Sequence, residues 1–475
     1  MGTSRSVLVV SATKVIGKVL GLAWFVVFAR ALPGREFGEF VLFVAVINVL
    51  SMFVDLGFGG AVEKRISGGL DADRVLGTAA VLRLSLLVVV SAAVLPLGHR
   101  IDALVGGPYA VYLVPVLAVH QFGRLSLSTL QGELRVGLAF LLRATRQLSF
   151  LVVGLALLTL EFGVPGLVVG YAASWTLLVV VGLGLAETGV GRPSREVATS
   201  LYGFAKHNFV PSILAQRTNN WMDVLVVGLL LGQLQAAAYE TAWRLSMSVM
   251  VVSGSIASAV FPRISDWAES GDREAIQDLL PGALSGSVVF VLPAVTGAVL
   301  LDDELIRYVF GAQYTIASVA LVVLVASKAF ESVNAVLGRV LLGTDRPGPV
   351  SRAAVVFICS NVALNVVLTA QFGLAGAAVA TGLAMALNVV LLWRHVDEFL
   401  EPRFLPSVLR GSLLGTAGVA VAVWAYSSVV GVDDLLGVGI AVALGAVVYV
   451  SVLAIDGGTR GYVRRFLEDA TSASV

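Results

Sequence analysis

"VLVVSATKVIGKVLGLAWFVVFARAL" (residues 7–32) has the length and apolar character of a helix that crosses a bilayer, yet Lys14 and Lys18 stand one turn apart inside it. The triplet Ala29, Arg30, Ala31 has the small residues of a signal-peptide cleavage site. The two lysines, however, interrupt a stretch that in a signal peptide runs about 7–15 uncharged residues, so the segment is read as a first span. Similar runs recur to the end of the chain. Of 475 residues 57% are hydrophobic and 13% charged, and the mean hydropathy is +0.92. That composition excludes an ordinary soluble domain and predicts an all-α polytopic membrane protein. A net charge of +1 gives no sign of nucleic-acid binding, and one cysteine, Cys359, excludes a disulfide framework within the chain.

Fourteen spans are expected, near 7–29, 38–60, 76–97, 109–130, 139–160, 165–186, 208–231, 238–260, 283–301, 315–342, 352–370, 376–393, 409–430 and 437–455. One alternate set of connections carries eighteen Lys and Arg, the other only Arg30, Arg35, Arg100 and Arg307. Short basic loops stay in the cytoplasm, so both termini are expected there. The mixed-charge stretch "DWAESGDREAIQDLL" (266–280) reads as an amphipathic connector on that side.

Two short sequences recur. "EFGVPGL" (161–167) returns as "QFGLAGA" (371–377), and "QGELR" (131–135) as "LGTDR" (342–346), with Gly163 and Gly373 210 residues apart and Arg135 and Arg346 211 apart. Six spans separate corresponding positions, which makes two parallel six-helix lobes the expected plan, with a cleft between them and a C-terminal helix pair outside the repeat. The expected divisions are 1–190, 191–400 and 401–475.

Charges inside spans cost about 2.5–3.5 kcal/mol each on insertion scales and need a partner or water. Lys14 and Lys18 share one helical face. "AQRTNNWMD" (215–223) sets Arg217, Asn220 and Asp223 deep in the seventh span. Arg143 and Arg146 open the fifth span on one face, where they serve either as interface anchors or as ligands. Glu240 with Arg244, and Lys328 with Glu331, have the spacing of local ion pairs and are open to a functional reading as well. Lys14, Lys18 and Arg217 have no acidic residue at i±3 or i±4, which favours a hydrated cavity holding an anion. A diphosphate, rich in acceptor oxygens, suits ammonium and guanidinium donors.

The stretches "ARALPGREFGEFVLF" (29–43), "DLGFGGAVEKRIS" (55–67), "LQGELRVGLAFLLR" (130–143), "AAAYETAWRL" (236–245) and "VFPRISDWAESGDREAI" (260–276) resemble, in order and spacing, the Wzx-like polysaccharide flippases. These belong to the multidrug/oligosaccharidyl-lipid/polysaccharide exporter superfamily. The resemblance implies a two-lobed fold of 12 to 14 helices that moves polyprenyl-diphosphate-linked oligosaccharides to the outer leaflet by alternating access. It also implies cavity cations for the diphosphate, and Lys14, Lys18, Arg217 and Arg244 lie on comparable helices; Arg143 and Arg146 join them as candidates from their place in the fifth span. Asp55 and Asp223 fall where the family has acidic residues, and with Asn220, Lys328 and Glu331, read from their places inside spans, they are the candidate polar or ion-coupling groups, with Na+ or H+ as the coupling ion. The expected partners are the lipid-linked substrate, the bilayer and glycosyltransferases or a polymerase of the same pathway, acting on a monomer. A cation-coupled drug exporter of the same fold would present an acidic or aromatic cavity instead. A membrane glycosyltransferase or polymerase would need acidic or metal-binding residues on sizeable outer loops. His99, His120, His207 and His395 are scattered, and neither catalytic residues, a metal site nor a cofactor is expected.

Overall fold

The two short repeats build the same corner twice. Glu133 N–H donates to Thr129 O (2.9 Å) and Arg135 N–H to Leu130 O (2.9 Å); Thr344 N–H donates to Val340 O (3.0 Å) and Arg346 N–H to Leu341 O (2.7 Å). Between them Leu134 and Asp345 both take left-handed backbone, at φ 61 and 56. The following Phe-Gly-x-x-Gly corners share a glycine at positive φ, Gly163 at 54 and Gly373 at 60, while Glu161 (φ 63) has no positive-φ counterpart at Gln371. A left-handed leucine is strained by about 1–2 kcal/mol because its Cβ crowds the next carbonyl, whereas aspartate tolerates the conformation better. Leu134→Gly is therefore expected to raise the melting temperature of the detergent-purified protein, and Asp345→Gly to raise it less.

The computed structural model describes residues 3–209, 219–250, 263–458 and 460; at residues 3–12, 14–15, 207–209 and 219–220 only the backbone is described. The helices are α1 Thr3–Ala31, α2 Gly34–Asp55, α3 Phe58–Ser67, α4 Ala72–Val94, α5 Gly98–Val105, α6 Ala110–Gly132, α7 Val136–Thr159, α8 Gly163–Leu185 and α9 Arg195–Phe209. They continue as α10 Asn219–Leu231, α11 Gln233–Ser248, α12 Arg273–Val289, α13 Val291–Leu300, α14 Asp302–Val309, α15 Ser318–Gly343, α16 Pro347–Asp397, α17 Pro406–Val429 and α18 Leu435–Ile455. Among the described residues ten stretches are long and apolar enough to cross a membrane. The longest, α16, bends at Gly373 and so supplies two crossings. Fourteen spans are compatible with this set.

The chain forms two compact units, Met1–Ala237 and Ala238–Val475. In the first, α1 lies along α7. Gly17 and Gly21 face Ala144 and Gln147, and Trp24 Nε1 donates to Gln147 Oε1 at 2.8 Å. Phe28, Phe40 and Trp24 close around Phe150, with ring centroids 5.2, 5.6 and 4.9 Å away. The second span runs 34–55 rather than 38–60, because Leu56 (φ 40) and Gly57 (φ 87) turn left-handed and α3 starts afresh.

In the second unit, α12 begins at Arg273, well before the expected span at 283. Asp272 caps it, its side chain accepting from Ala275 N–H at 3.0 Å. Where α12 gives way to α13, the Val289 carbonyl accepts from Tyr449 Oη (2.5 Å) and Ser412 Oγ (3.1 Å). A backbone oxygen freed within a bilayer needs such a donor, and this one fastens the α17–α18 pair to the unit.

The repeat extends to the connections. Ser194 N–H donates to Thr78 Oγ1 on α4 (3.0 Å), and 211 residues later Leu405 N–H donates to Ser285 Oγ on α12 (2.6 Å).

Candidate functional site

Asp55, the last residue of α2, is 4% exposed, and its carboxylate lies at the centre of a buried network. Arg83 Nη2 on α4 meets its Oδ1 at 2.5 Å, and Arg83 Nη1 donates to the Gln121 carbonyl at 2.7 Å. Arg124 Nη2 on α6 meets Oδ2 at 3.3 Å, while its Nη1 donates to Ser51 Oγ at 3.0 Å. Gln121 Nε2 closes the ring by donating to the Ser51 carbonyl at 2.7 Å.

Two further arginines approach the same stripe of α6 from α7. His120, Arg124 and Gln131 lie on one face, since four and seven residues bring a helix back to nearly the same direction. Arg143 Nη2 donates to Gln131 Oε1 at 3.1 Å. The Arg146 guanidinium lies over the Trp175 ring at 4.5 Å, and that ring abuts His120 at 4.2 Å. Arg124 thus stands between the two places where Arg143 and Arg146 touch this surface, and it acts on Arg143 electrostatically. At 1.5 Å per residue, Arg124, Arg143 and Arg146 lie about 10–15 Å from the α6–α7 corner at Gly132 and Val136, and Arg83 stands at the midpoint of α4, about 16 Å from either end. Neither Arg143 nor Arg146 has a carboxylate within ion-pair distance among the described residues, although Glu63 on α3 acts on Arg143 electrostatically from further away.

The repeat supplies an internal control. With the offset of 211 that relates the Gly-x-x-Arg corners, Arg124, Arg143 and Arg146 correspond to Ala335, Ala354 and Phe357. With the offset of 207 between Thr78 and Ser285, Arg83 corresponds to Phe290. The fold packs apolar side chains at all four places in its second copy, so four guanidinium groups are not a requirement of the architecture.

Arg143, Arg146 and Asp55 are therefore brought together. Arg83 and Arg124, which complete the group, were absent from the sequence candidates. Their signal was the ordinary one, a lone arginine inside an apolar span, but their partner Asp55 lies 28 and 69 residues away, beyond any helical-spacing rule.

In the second unit the predicted local pairs form. Arg244 meets Glu240 at 2.8 Å and Lys328 meets Glu331 at 2.7 Å. Lys328 is fully buried, its ammonium 4.1 Å from the centre of the Trp243 ring. Asp223 is fully buried in α10. Lys18 is exposed on α1, about a quarter turn from the stripe of Gly17, Gly21 and Trp24 that meets α7. The side chains of Lys14 and Asn220, and Arg217 as a whole, lie outside the described residues.

Residues 27–319 match the family described as polysaccharide biosynthesis protein, and residues 212–432 match the one described as lipid II flippase MurJ. A Haloferax volcanii protein named probable low-salt glycan biosynthesis flippase Agl15 is 32% identical over 452 residues, covering 95% of this chain and 96% of its own. Probable flippase AglR of the same organism is 26% identical over 91% of this chain and 92% of its own. Among solved structures, lipid II flippase MurJ in an inward closed conformation superimposes with a TM-score of 0.79 at 16% identity, covering 94% of this chain and 98% of that one. An inward-facing multidrug resistance MATE family transporter of the MOP superfamily gives 0.65 at 17% identity, over 82% of this chain and 98% of that one.

Proposed function

The chain belongs to the polysaccharide biosynthesis protein family, and on that premise we propose that it is a flippase for oligosaccharides linked to a polyprenyl phosphate or diphosphate. Its product would feed surface polysaccharide or glycoprotein synthesis. The observation that carries this reading from the geometry is the surplus of guanidinium over carboxylate groups around Asp55. Among the described residues, four arginines set against Asp55 and the more distant Glu63 suit an anion with several acceptor oxygens, because each charge-assisted bond is short and directional. A cation-exporting relative would gain nothing from that charge, so the drug-exporter alternative is disfavoured.

In this proposal both termini face the cytoplasm, which puts Arg124, Arg143 and Arg146 on the inner side of the membrane centre, where a newly made lipid-linked sugar is first met, with Arg83 near the centre. Lobes of 1–190 and 191–400 rock about the substrate in alternating access, with 401–475 appended. Lys14, Lys18, Arg217 and Arg244 are proposed as further cations for the phosphate, and Asn220, Asp223 and the Lys328–Glu331 pair are the groups assigned to Na+ or H+ coupling. Covalent chemistry is left to the glycosyltransferases and polymerase of the pathway.

Deletion of the gene, followed by extraction of lipid-linked oligosaccharides, tests the function. Complete oligosaccharides should accumulate facing the cytoplasm. Single repeat units already on the outer face would instead indicate a polymerase. Lys14→Ala, Lys18→Ala and Arg217→Ala should each impair export at normal membrane abundance, and unchanged export in all three would remove them from the site.

A further inference from the structure

Arg83 and Arg124 share one carboxylate but hold it differently. Arg83 is 1% exposed, meets Asp55 at 2.5 Å and is locked by the Gln121 carbonyl. The Oδ1 atom it grips also accepts from Gly59 N–H at 3.2 Å. Arg124 is 21% exposed in its side chain, meets the other oxygen at 3.3 Å, and is otherwise held by a serine hydroxyl. Arg83 therefore fixes Asp55 in place, and Arg124 is the member able to leave it. Its neighbours along the α6 stripe are the points where Arg143 and Arg146 arrive.

We propose that Asp55 is the resident counter-anion of a phosphate site in the first unit, and that Arg124 leaves it to grip a phosphate or diphosphate together with Arg143 and Arg146. The inference rests on the flippase reading and names how that site binds and lets go. While the site is empty, Asp55 neutralises part of the like charge that the three arginines gather. When a phosphate dianion enters, Arg124 exchanges a single carboxylate oxygen for phosphate oxygens. Asp55 then competes for the same guanidinium, which keeps the bound state from becoming too stable to discharge. A carrier needs that balance, since only differential affinity between states moves a cargo.

The test uses the full chain in detergent, titrated calorimetrically with farnesyl diphosphate, farnesyl phosphate and farnesol at fixed ionic strength. The wild type should bind the phosphorylated probes and discriminate against farnesol. Arg124→Gln should weaken diphosphate binding at least fivefold while leaving any farnesol binding unchanged. Asp55→Asn combined with Arg83→Gln removes both buried charges, so the pair folds without an orphan ion, and it should tighten diphosphate binding at least threefold. Adding Arg124→Gln to that pair should abolish the gain. An unchanged affinity in Arg124→Gln, or equal or weaker binding in the double variant, overturns the inference and leaves the flippase reading standing. A wild-type protein that binds farnesol as well as farnesyl diphosphate overturns the basic-site reading, and this inference with it.

Discussion

Asp55→Ala should destabilise the first unit by about 3–5 kcal/mol, the usual cost of removing one partner from a buried ion pair. The reason is Arg83. Its guanidinium is 1% exposed, its Nη2 would lose the 2.5 Å contact to Asp55, and the Gln121 carbonyl alone would face a cation out of reach of water. Arg124 is half-buried and can find other acceptors, so it contributes less to the loss. Combining Asp55→Ala with Arg83→Met should restore most of the stability, because an apolar side chain already occupies the corresponding position, Phe290, in the second copy of the fold. Thermal unfolding of the two single variants and the double variant in detergent forms the cycle that measures this coupling. Additive losses would mean that the pair is not energetically linked.

The second large effect is on transport rather than on folding. Arg143→Gln with Arg146→Gln should reduce export at least tenfold while membrane abundance stays near normal. Each charge-assisted hydrogen bond to a phosphate contributes about 1.5–3 kcal/mol, and 1.4 kcal/mol corresponds to a factor of ten. The fold should tolerate the change, since Ala354 and Phe357 fill the equivalent places. Lysine at both positions should recover only part of the activity, because an ammonium lacks the planar pair of donors that matches a phosphate edge. Export is read from surface glycan per molecule of flippase in the membrane. A proportional fall in protein abundance would assign the two arginines to structure instead.

The helical membrane fold was legible because apolar runs of bilayer length leave few alternatives, and the repeat because its corners need particular backbone. Gly163 and Gly373 sit at positive φ, so a short motif survives there while the flanking helices diverge. Local ion pairs were legible for the same reason of proximity: Glu240 with Arg244 and Lys328 with Glu331 follow helical spacing, and both form. The end of the second span was misplaced by five residues because "DLGFGG" reads as apolar and small, while Leu56 and Gly57 break the helix by conformation rather than polarity. Of the Asp55 network, Asp55, Arg143 and Arg146 were named from the sequence, but Arg83, Arg124 and the links among them were not legible. Its members come from α2, α4, α6 and α7, and only the packing of those helices brings them together.

The most direct test of the central claim is reconstitution of the purified chain into liposomes carrying a polyprenyl-diphosphate-linked oligosaccharide on one leaflet, with lectin access to the other followed over time. Protein-dependent appearance of intact, still lipid-linked sugar on the far leaflet, slowed by Arg143→Gln with Arg146→Gln, is the result expected. Sugar that stays on its original leaflet in the presence of folded protein, under an imposed Na+ or H+ gradient as well as without one, would contradict the account.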